Sequence, residues 1–260
     1  MQPLRPTAEE TASLRIAEEL DSIEEAVRGG STDLRALGFW RVVEAIKRDQ
    51  VLVLDHADRV GRIDRAAFVA RVRVRAPVWV GSVLLVAVIA AGVVAIVLAA
   101  RWTGTAAGIA LLAAAVAWAI GVHSPTHQAF GWFAGIRFTD SFLGGPPPPR
   151  PGLKTDYATY LRAEPSMRAW FHASGAIATK IAPFVAVALS PVTNAPAWAV
   201  LAAAAIGVLQ IVTDVLFSTK TSDWKKFRRE RAVAKDLRRR RGYSSVSLLS
   251  TDRGARARPG

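Results

Sequence analysis

The sequence predicts an all-α polytopic membrane protein with four transmembrane helices. Of its 260 residues 51% are hydrophobic, yet its formal net charge is +13. These two values are compatible because the charges are separated from the apolar stretches along the chain. Residues 77–218 hold 7 Lys or Arg and 4 Asp or Glu, whereas residues 219–260 hold 14 and 4. Long stretches with so little charge are typical of helices that cross a bilayer, and they argue against a soluble enzyme.

Four stretches are long enough to cross a hydrocarbon core of about 30 Å at about 1.5 Å per residue. Residues 77–100 carry no charge, and no Asp, Glu, Lys or Arg occurs between Arg101 and Arg137. The last apolar region is divided at residues 190–196, because the prolines and the Asn of that segment break helices. The predicted spans are residues 77–100, 106–128, 171–190 and 197–218.

The distribution of Lys and Arg near the span ends predicts the topology. Basic residues are frequent before the first span, in the loop at 129–168 and after the last span, whereas the other two connections hold only Arg101 or no charge. By the positive-inside rule, both termini and the long loop are expected in the cytoplasm of a multi-pass cell-membrane protein.

Residues 1–76 are expected to form a cytoplasmic helical region. Their 13 basic and 13 acidic side chains balance, and the apolar spacing within 8–28 and 32–48 is that of amphipathic helices. Residues 62–76 are expected to continue as a helix into the first span.

The basic segment at 219–241 is expected to form a cytoplasmic helix on the membrane surface, followed by a disordered tail from Tyr243 to Gly260. Anionic headgroups attract such a segment by about 1 kcal/mol for each Lys or Arg near the surface. The expected partner is therefore a bilayer with anionic lipids, and nucleic-acid binding is disfavoured. The residues expected at this surface are Lys220, Lys225, Lys226, Arg228 and Arg229.

Ionisable side chains inside the spans are candidate functional groups, because they are costly to place in lipid. His123 and His127 are four residues apart, so their rings lie on one helix face about one turn apart. A helix presents two nitrogen ligands to one metal ion with this spacing. Asp214 lies at a similar depth near the end of the fourth span. The sequence therefore predicts a site for a divalent metal ion at His123, His127 and Asp214.

Other interpretations of these side chains stay open. Paired histidines also hydrogen-bond neighbouring helices in membrane proteins. Lys180, in the third span, is a potential ion-pair partner of Asp214, and such a pair is the main rival to the metal. His172 is expected at the membrane interface, with a role as an additional ligand as the alternative. The absence of cysteine excludes disulfides and thiolate ligands.

Three segments resemble, in the same order, the motifs of the site-2 proteases, the family of intramembrane zinc metallopeptidases. H-S-P-T-H at 123–127 is similar to the family's H-E-x-x-H and is followed by a small and aromatic run that ends in Gly-Ile. S-G-A-I-A-T at 174–179 is similar to the family's G-P-x-x-N signature, and Asp214 matches the Asp that completes the zinc site. The resemblance covers roughly residues 105–218 and implies a three-helix protease-like core.

The resemblance also implies how a substrate is held. In this family the loop before the third span forms a small membrane-associated sheet that binds an unwound substrate by strand addition. The alternating patterns at 136–143 and 153–161 predict a small β-hairpin of this kind. Gly175 and Thr179 lie in the segment that resembles the substrate-contacting motif, although Thr179 replaces the Asn of that motif. Both are expected to contact a transmembrane segment of another protein.

The position of the family's general base departs from the pattern. The Glu of H-E-x-x-H, which activates the attacking water in that family, is replaced by Ser124, whose hydroxyl does not accept a proton near neutral pH. Neither Asp140 nor Glu164 of the loop is placed by the sequence to act instead. Pro125 predicts a kink in the second span, because proline removes a helix hydrogen bond.

These observations predict a protein that binds a metal ion and membrane segments but is not a peptidase. Two alternatives remain. One is an active intramembrane zinc metalloprotease with an atypical base. The other is a metal-free membrane scaffold in which Asp214 pairs with Lys180.

Overall fold

The computed structural model describes residues 8–144, 150–216 and 222–255. Most of these residues are helical, and the chain divides into two compact units. The elements are α1 (Ala8–Arg28), α2 (Phe39–Ile46), α3 (Gln50–Arg71), β1 (Arg75–Ala76), α4 (Val78–Arg101), α5 (Gly104–Gly121), α6 (His123–Phe133), β2 (Phe138–Gly144), β3 (Arg150–Thr155), α7 (Tyr157–Arg162), α8 (Pro165–Leu189), α9 (Ala197–Leu216) and α10 (Asp223–Ala255).

The first unit comprises Met1–Arg71, Tyr157–Ser166 and Arg229–Gly260. The apolar faces of α1, α2 and α3 form its core, in which Leu20 and Phe39 are fully buried. The sequence predicts three regions that follow one another along the chain, at 1–76, 77–218 and 219–260. The structural unit instead joins the N-terminal helices to α7 from the middle loop and to most of α10.

Polar and steric contacts explain this assembly. A side chain at Gly61 of α3 would place its Cβ 2.8 Å from the Cβ of Ala158, so the glycine allows α3 and α7 to pack closely. The Nζ atom of Lys47 lies 2.6 Å from the Glu230 carboxylate, and the Tyr160 hydroxyl donates to the same oxygen at 2.9 Å. Buried charges require such partners, so the pair attaches α10 to the N-terminal helices.

The second unit comprises Val72–Asp156 and Met167–Arg228. Within the described residues, four of its helical stretches are long and apolar enough to cross a membrane, which confirms the predicted number of spans and the polytopic helical architecture. These stretches are Val78–Arg101, Gly104–Phe133, Pro165–Val192 and Ala197–Asp214. The orientation of the spans in the bilayer stays a prediction.

Small residues allow the spans to pack closely. A Cβ at Gly92 of α4 would lie 2.4 Å from Nε1 of Trp118, and the Trp118 indole N–H donates to the carbonyl of Ile89 at 3.0 Å. A Cβ at Gly108 of α5 would lie 2.6 Å from the ring of Trp198 in α9. Close approach of backbones at small residues is the usual way in which membrane helices associate.

The second span is interrupted where the sequence predicts a kink. Helix α5 ends at Gly121 and α6 begins at His123, so that Pro125 lies in the first turn of α6. Proline is tolerated there because the first amides of a helix have no intrahelical acceptor. The interruption places His123 and His127 at the start of a new short helix.

The three strands form one antiparallel sheet in the order β1-β2-β3. Arg75 pairs with Phe142, and Ser141 pairs with Leu153. The predicted helix from residue 62 into the first span is wrong, because α3 ends at Arg71 and β1 follows. Pro77 disfavours the helical conformation at Ala76, which instead pairs with β2.

The second predicted strand is shorter than expected, because β3 ends at Thr155 and α7 begins at Tyr157. Residues 145–149, which join β2 to β3, lie outside the described part of the chain. At the C-terminus, α10 continues past Tyr243, where the sequence predicts the start of a disordered tail. Residues 256–260 of that tail are not described.

Candidate metal centre

Three potential metal ligands converge at one end of the membrane helices. His123 and His127 occupy the first two turns of α6, with ring centroids 4.7 Å apart. Asp223 lies in the first turn of α10, whose start is capped by a hydrogen bond from the Lys225 amide to the Ser222 hydroxyl at 3.4 Å. The Nε2 atoms of both histidines lie 3.5 Å from the same oxygen of Asp223, Oδ2. The three ligand atoms all lie within 4.8 Å of one another.

These distances match the spacing of ligands around a tetrahedral zinc ion. Zinc binds imidazole nitrogen and carboxylate oxygen at about 2.0–2.2 Å, so two ligands at a tetrahedral angle are about 3.4 Å apart. The observed 3.5 Å is longer than a normal N–H···O hydrogen bond. Each Nε2 atom is therefore separated from Oδ2 of Asp223 by the distance expected of two ligands that share an ion.

The outer nitrogen of each ring has a partner that determines which nitrogen carries the proton. Nδ1 of His127 lies 2.6 Å from the carbonyl oxygen of Phe171, which only accepts, so Nδ1 donates. Nδ1 of His123 lies 3.0 Å from the hydroxyl of Thr179, and that hydroxyl donates its own proton to the carbonyl of Gly175 at 2.9 Å. The Thr179 oxygen must then accept from His123.

In a neutral form with the proton on Nδ1, each ring would direct an unprotonated Nε2 toward the carboxylate of Asp223. Three hydrogen-bond acceptors that face one another repel unless a cation lies between them. Outer-sphere hydrogen bonds of this kind orient metal-bound histidines in many proteins. The arrangement is thus chemically suited to a divalent ion.

Gly175 allows α8 to pass directly against the two histidines. A Cβ at this position would lie 2.5 Å from both Cδ2 and Nε2 of His127, and 2.9 Å from the carbonyl oxygen of His123. Contacts under 3.0 Å are not tolerated without a shift of the neighbouring atoms. Gly175 and Thr179, one turn apart on α8, therefore position the two histidines of α6.

The carboxyl group of Asp223 is held in its ionised form. Its burial would raise the pKa, but with no ion bound a hydrogen bond and positive charge from the His127 ring, together with the Lys226 ammonium 3.1 Å away, outweigh that effect and hold the pKa of Asp223 well below its usual range. A carboxylate must be ionised to bind a metal ion.

A cavity of about 270 Å³ opens beside the three ligands. Besides the ligands, its walls include Ser124, Phe138, Phe171, His172, Lys226 and part of strand β3. Among these lining residues, Asp223 is the only carboxylate. Asp140 is buried in β2, and Glu164 of the first unit lies 3.9 Å from Arg238. Ser124 lines the cavity together with the three potential ligands. Its position corresponds to that of the general-base Glu in the resembled family.

The structure does not bring Asp214 to the histidines. Its carboxylate lies 2.6 Å from Nζ of Lys180, so α9 presents it to α8 as an ion-pair partner. The sequence prediction missed Asp223 because the segment at 219–241 was interpreted only as a basic membrane-surface helix. The available signal was that Asp223 is the one acidic residue between Asp214 and Glu230.

Other predicted site residues have new surroundings. Gly175 and Thr179, expected to contact substrate, contact the histidines and are not among the residues that line the cavity. His172 lines the cavity. Of the predicted membrane-surface residues, Lys226 pairs with Asp223 and lines the cavity, whereas Lys220 lies outside the described residues. Arg228 and Arg229 are exposed and Lys225 is half-buried.

No protein-family model, curated protein or solved structure matches this chain.

Proposed function

We propose that this protein holds a zinc ion at His123, His127 and Asp223 within a membrane-embedded site. We further infer that it binds an extended segment of a membrane polypeptide beside that ion without cleaving it. The observation that carries the metal assignment is that both Nε2 atoms lie 3.5 Å from one oxygen of an ionised carboxylate. A single cation satisfies all three acceptors.

The donor set favours zinc among the common divalent ions. Two imidazole nitrogens with one carboxylate oxygen suit zinc, whereas calcium and magnesium prefer sites composed of oxygen ligands. Zinc with three protein ligands supplies a Lewis acid with one open coordination position. The adjoining cavity gives access to that position.

The lining of the cavity argues against peptidase activity. Ser124 does not act as a general base near neutral pH, and the one lining carboxylate is itself a proposed ligand. Loss of a general base lowers a hydrolytic rate by about 10² to 10⁴. The protein is therefore proposed to resemble a site-2 protease in its ligands and to lack that family's chemistry.

The sheet supports the binding of an extended segment. Strand β3 is at one edge of the three-stranded sheet, and its residues Pro151–Leu153 and Thr155 line the metal cavity. An edge strand offers backbone groups to an added strand. A segment added to β3 would lie next to the metal ligands.

The two alternatives differ from this proposal in measurable ways. An active protease would require a general base in the cavity. Apart from the proposed ligands, the one lining side chain that could act as a base is His172. A metal-free scaffold would rest on the Lys180–Asp214 ion pair, which the structure contains. That pair does not compete with the proposed site, because the third ligand is Asp223.

Casein, an unstructured protein, serves as the probe of both cleavage and strand binding. Purified wild type in detergent with zinc should cleave casein no faster than His123→Ala, and a zinc-dependent excess in the wild type would establish the active alternative. Because the chain has no cysteine, Thr155→Cys carries a single benzophenone photocross-linker on β3.

We expect Thr155→Cys to cross-link casein more strongly than Thr103→Cys, which is exposed between α4 and α5. Equal cross-linking at the two positions would contradict segment binding at β3. The cross-linking comparison does not depend on the metal content, which is measured separately.

A further inference from the structure

A second cavity, of about 450 Å³, lies between the first part of α4, the end of the second span and the sheet. This volume is within the range of about 300–1,000 Å³ that is typical of small-molecule sites. Its walls are almost entirely apolar and include Val80, Leu84, Leu85, Val88, Ile120 and Leu143. The cavity is therefore suited to a hydrocarbon ligand.

The cavity follows the axis of a membrane helix. Val80, Leu84 and Val88 are spaced by four residues, so they form a straight stripe along α4. From Val80 to Val88 the stripe covers about 12 Å at about 1.5 Å per residue. One half of a hydrocarbon core of about 30 Å is about 15 Å thick. The depth of the cavity is thus comparable to one leaflet.

The charged end of the cavity lies where the membrane helix begins. Arg75, in β1 directly before α4, lines the cavity and is exposed. Arg73 is exposed two residues earlier. The hydroxyl of Ser141, another lining residue, is already bonded to the carbonyl of Val78 at 3.1 Å. The entrance thus offers positive charge, whereas the interior offers hydrocarbon contacts.

We propose that this cavity binds one acyl chain of an anionic phospholipid, with the phosphate of its headgroup beside Arg75. Charge complementarity at the entrance and the length of the apolar stripe support this occupant. A polypeptide added to β3 would run with the sheet, whereas the stripe runs along the axis of α4. The proposal does not depend on the presence of a metal or on the binding of a polypeptide.

The bound lipid would lie next to the metal cavity. Ser124 and the β3 residues Pro151, Gly152 and Leu153 line both cavities. A lipid in the apolar cavity would therefore contact the strand that borders the metal ligands. Span one, which lies outside the protease-like region, would then supply one wall of a lipid site.

Photolabelling in proteoliposomes tests this proposal. The vesicles consist of phosphatidylcholine with a minor fraction of phosphatidylglycerol, and the phosphatidylglycerol carries a diazirine near the end of one acyl chain. We expect the label to concentrate on Leu85 and Val88, relative to Val86 and Val93 on the exposed face of α4. Unlabelled phosphatidylglycerol should compete better than phosphatidylcholine. Arg75→Gln should reduce that preference about fivefold, as expected for one basic residue near the surface.

Filling the cavity provides a matched pair of variants. Val88→Trp should abolish labelling of Leu85, whereas Val86→Trp, two residues away and exposed, should leave it unchanged. An unaltered elution volume and melting temperature establish that Val88→Trp is folded, and if it does not fold, the Arg75→Gln comparison decides. Uniform labelling around α4, equal competition by both lipids, or a polypeptide cross-linked in the cavity would each overturn the proposal.

Discussion

The hydroxyl of Thr179 lies 3.0 Å from Nδ1 of His123 and donates its own proton to the carbonyl of Gly175, 2.9 Å away. A side chain on α8 therefore sets the orientation and the protonated nitrogen of a proposed metal ligand on α6. In the resembled family this position carries an Asn that contacts substrate. The contact observed here gives Thr179 a positioning role.

Replacement of Thr179 tests that role. Thr179→Val keeps the shape of the side chain but removes the acceptor for His123, and we expect zinc affinity to fall by about 10- to 100-fold, as is typical for outer-sphere partners of metal ligands. Thr179→Ser retains the hydroxyl and should bind zinc like the wild type. Competition with a chromophoric chelator measures the affinities, and equal affinities for both variants would contradict the positioning role.

Gly175→Ala should disrupt the metal centre. The new Cβ would lie 2.5 Å from Nε2 of His127, so the ring must leave its position beside Asp223 or α8 must shift. We expect zinc binding to be lost together with a lower melting temperature. Gly207→Ala is the matched control, because its Cβ would lie 2.7 Å from the Phe184 ring, away from the site. That variant should lose stability but retain zinc, and loss of zinc from both would indicate a general packing defect instead.

The ion pair between Lys180 and Asp214 should stabilise the contact of α8 with α9. Its atoms are 2.6 Å apart and both side chains are mostly buried. Lys180→Met leaves the partly buried carboxylate without its partner, so we expect a loss of stability smaller than the value of about 3–5 kcal/mol that is typical of breaking a fully buried pair. The double variant Lys180→Met, Asp214→Leu should recover much of that loss. A double variant no more stable than Lys180→Met, measured by thermal unfolding in detergent, would refute this account of the pair.

The buried pair of Lys47 with Glu230 should make the first unit sensitive to alkaline pH. Burial lowers the pKa of Lys47, but Tyr157, Glu230 and Glu44 outweigh burial and raise it above 10.5. Because folding raises the pKa of Lys47, its ammonium group stabilises the folded state fully below pH 10.5. This contribution is lost as pH rises through the folded-state pKa of Lys47. Protection of the amides of α2 and α7 in the intact chain, measured relative to their intrinsic exchange rates, should therefore decrease at alkaline pH.

Variants of the first unit separate this pair from surface charges. Lys47→Met should remove the alkaline transition and destabilise α2 and α7 by about 3–5 kcal/mol, because Glu230 is left buried. Arg41→Met, which breaks an exposed pair with Glu19, should change stability by no more than about 1 kcal/mol. Similar effects of both substitutions would contradict the assignment.

The sequence was sufficient to predict the four spans and the helix that carries the two histidines, because apolar length and four-residue spacing are local properties. The third residue of the cluster was missed because Asp223 follows the last span in a basic segment, and its position beside the histidines depends on tertiary structure. The pairing of Lys47 with Glu230 spans 183 positions. No local pattern in either segment indicates such a partner.

The loop also shows where tertiary context overrides a local pattern. The alternation at 153–161 predicts a strand, but only its first residues pair with β2, and Tyr157 begins a helix that packs on α3 near Gly61. Burial of Tyr160 and Leu161 in the first unit accounts for this difference. An alternating segment and an amphipathic helical turn differ little in so short a stretch.

Metal analysis of three proteins tests the central claim most directly: wild type, Asp223→Asn and Asp214→Asn, each purified in detergent, equilibrated with zinc and washed with a weak chelator. We expect one zinc per chain in the wild type and in Asp214→Asn, and loss of zinc from Asp223→Asn, because the amide that replaces the carboxylate is a weaker ligand. Retention of zinc by Asp223→Asn with loss from Asp214→Asn would contradict the proposed site. Absence of zinc from all three would contradict the metal centre itself.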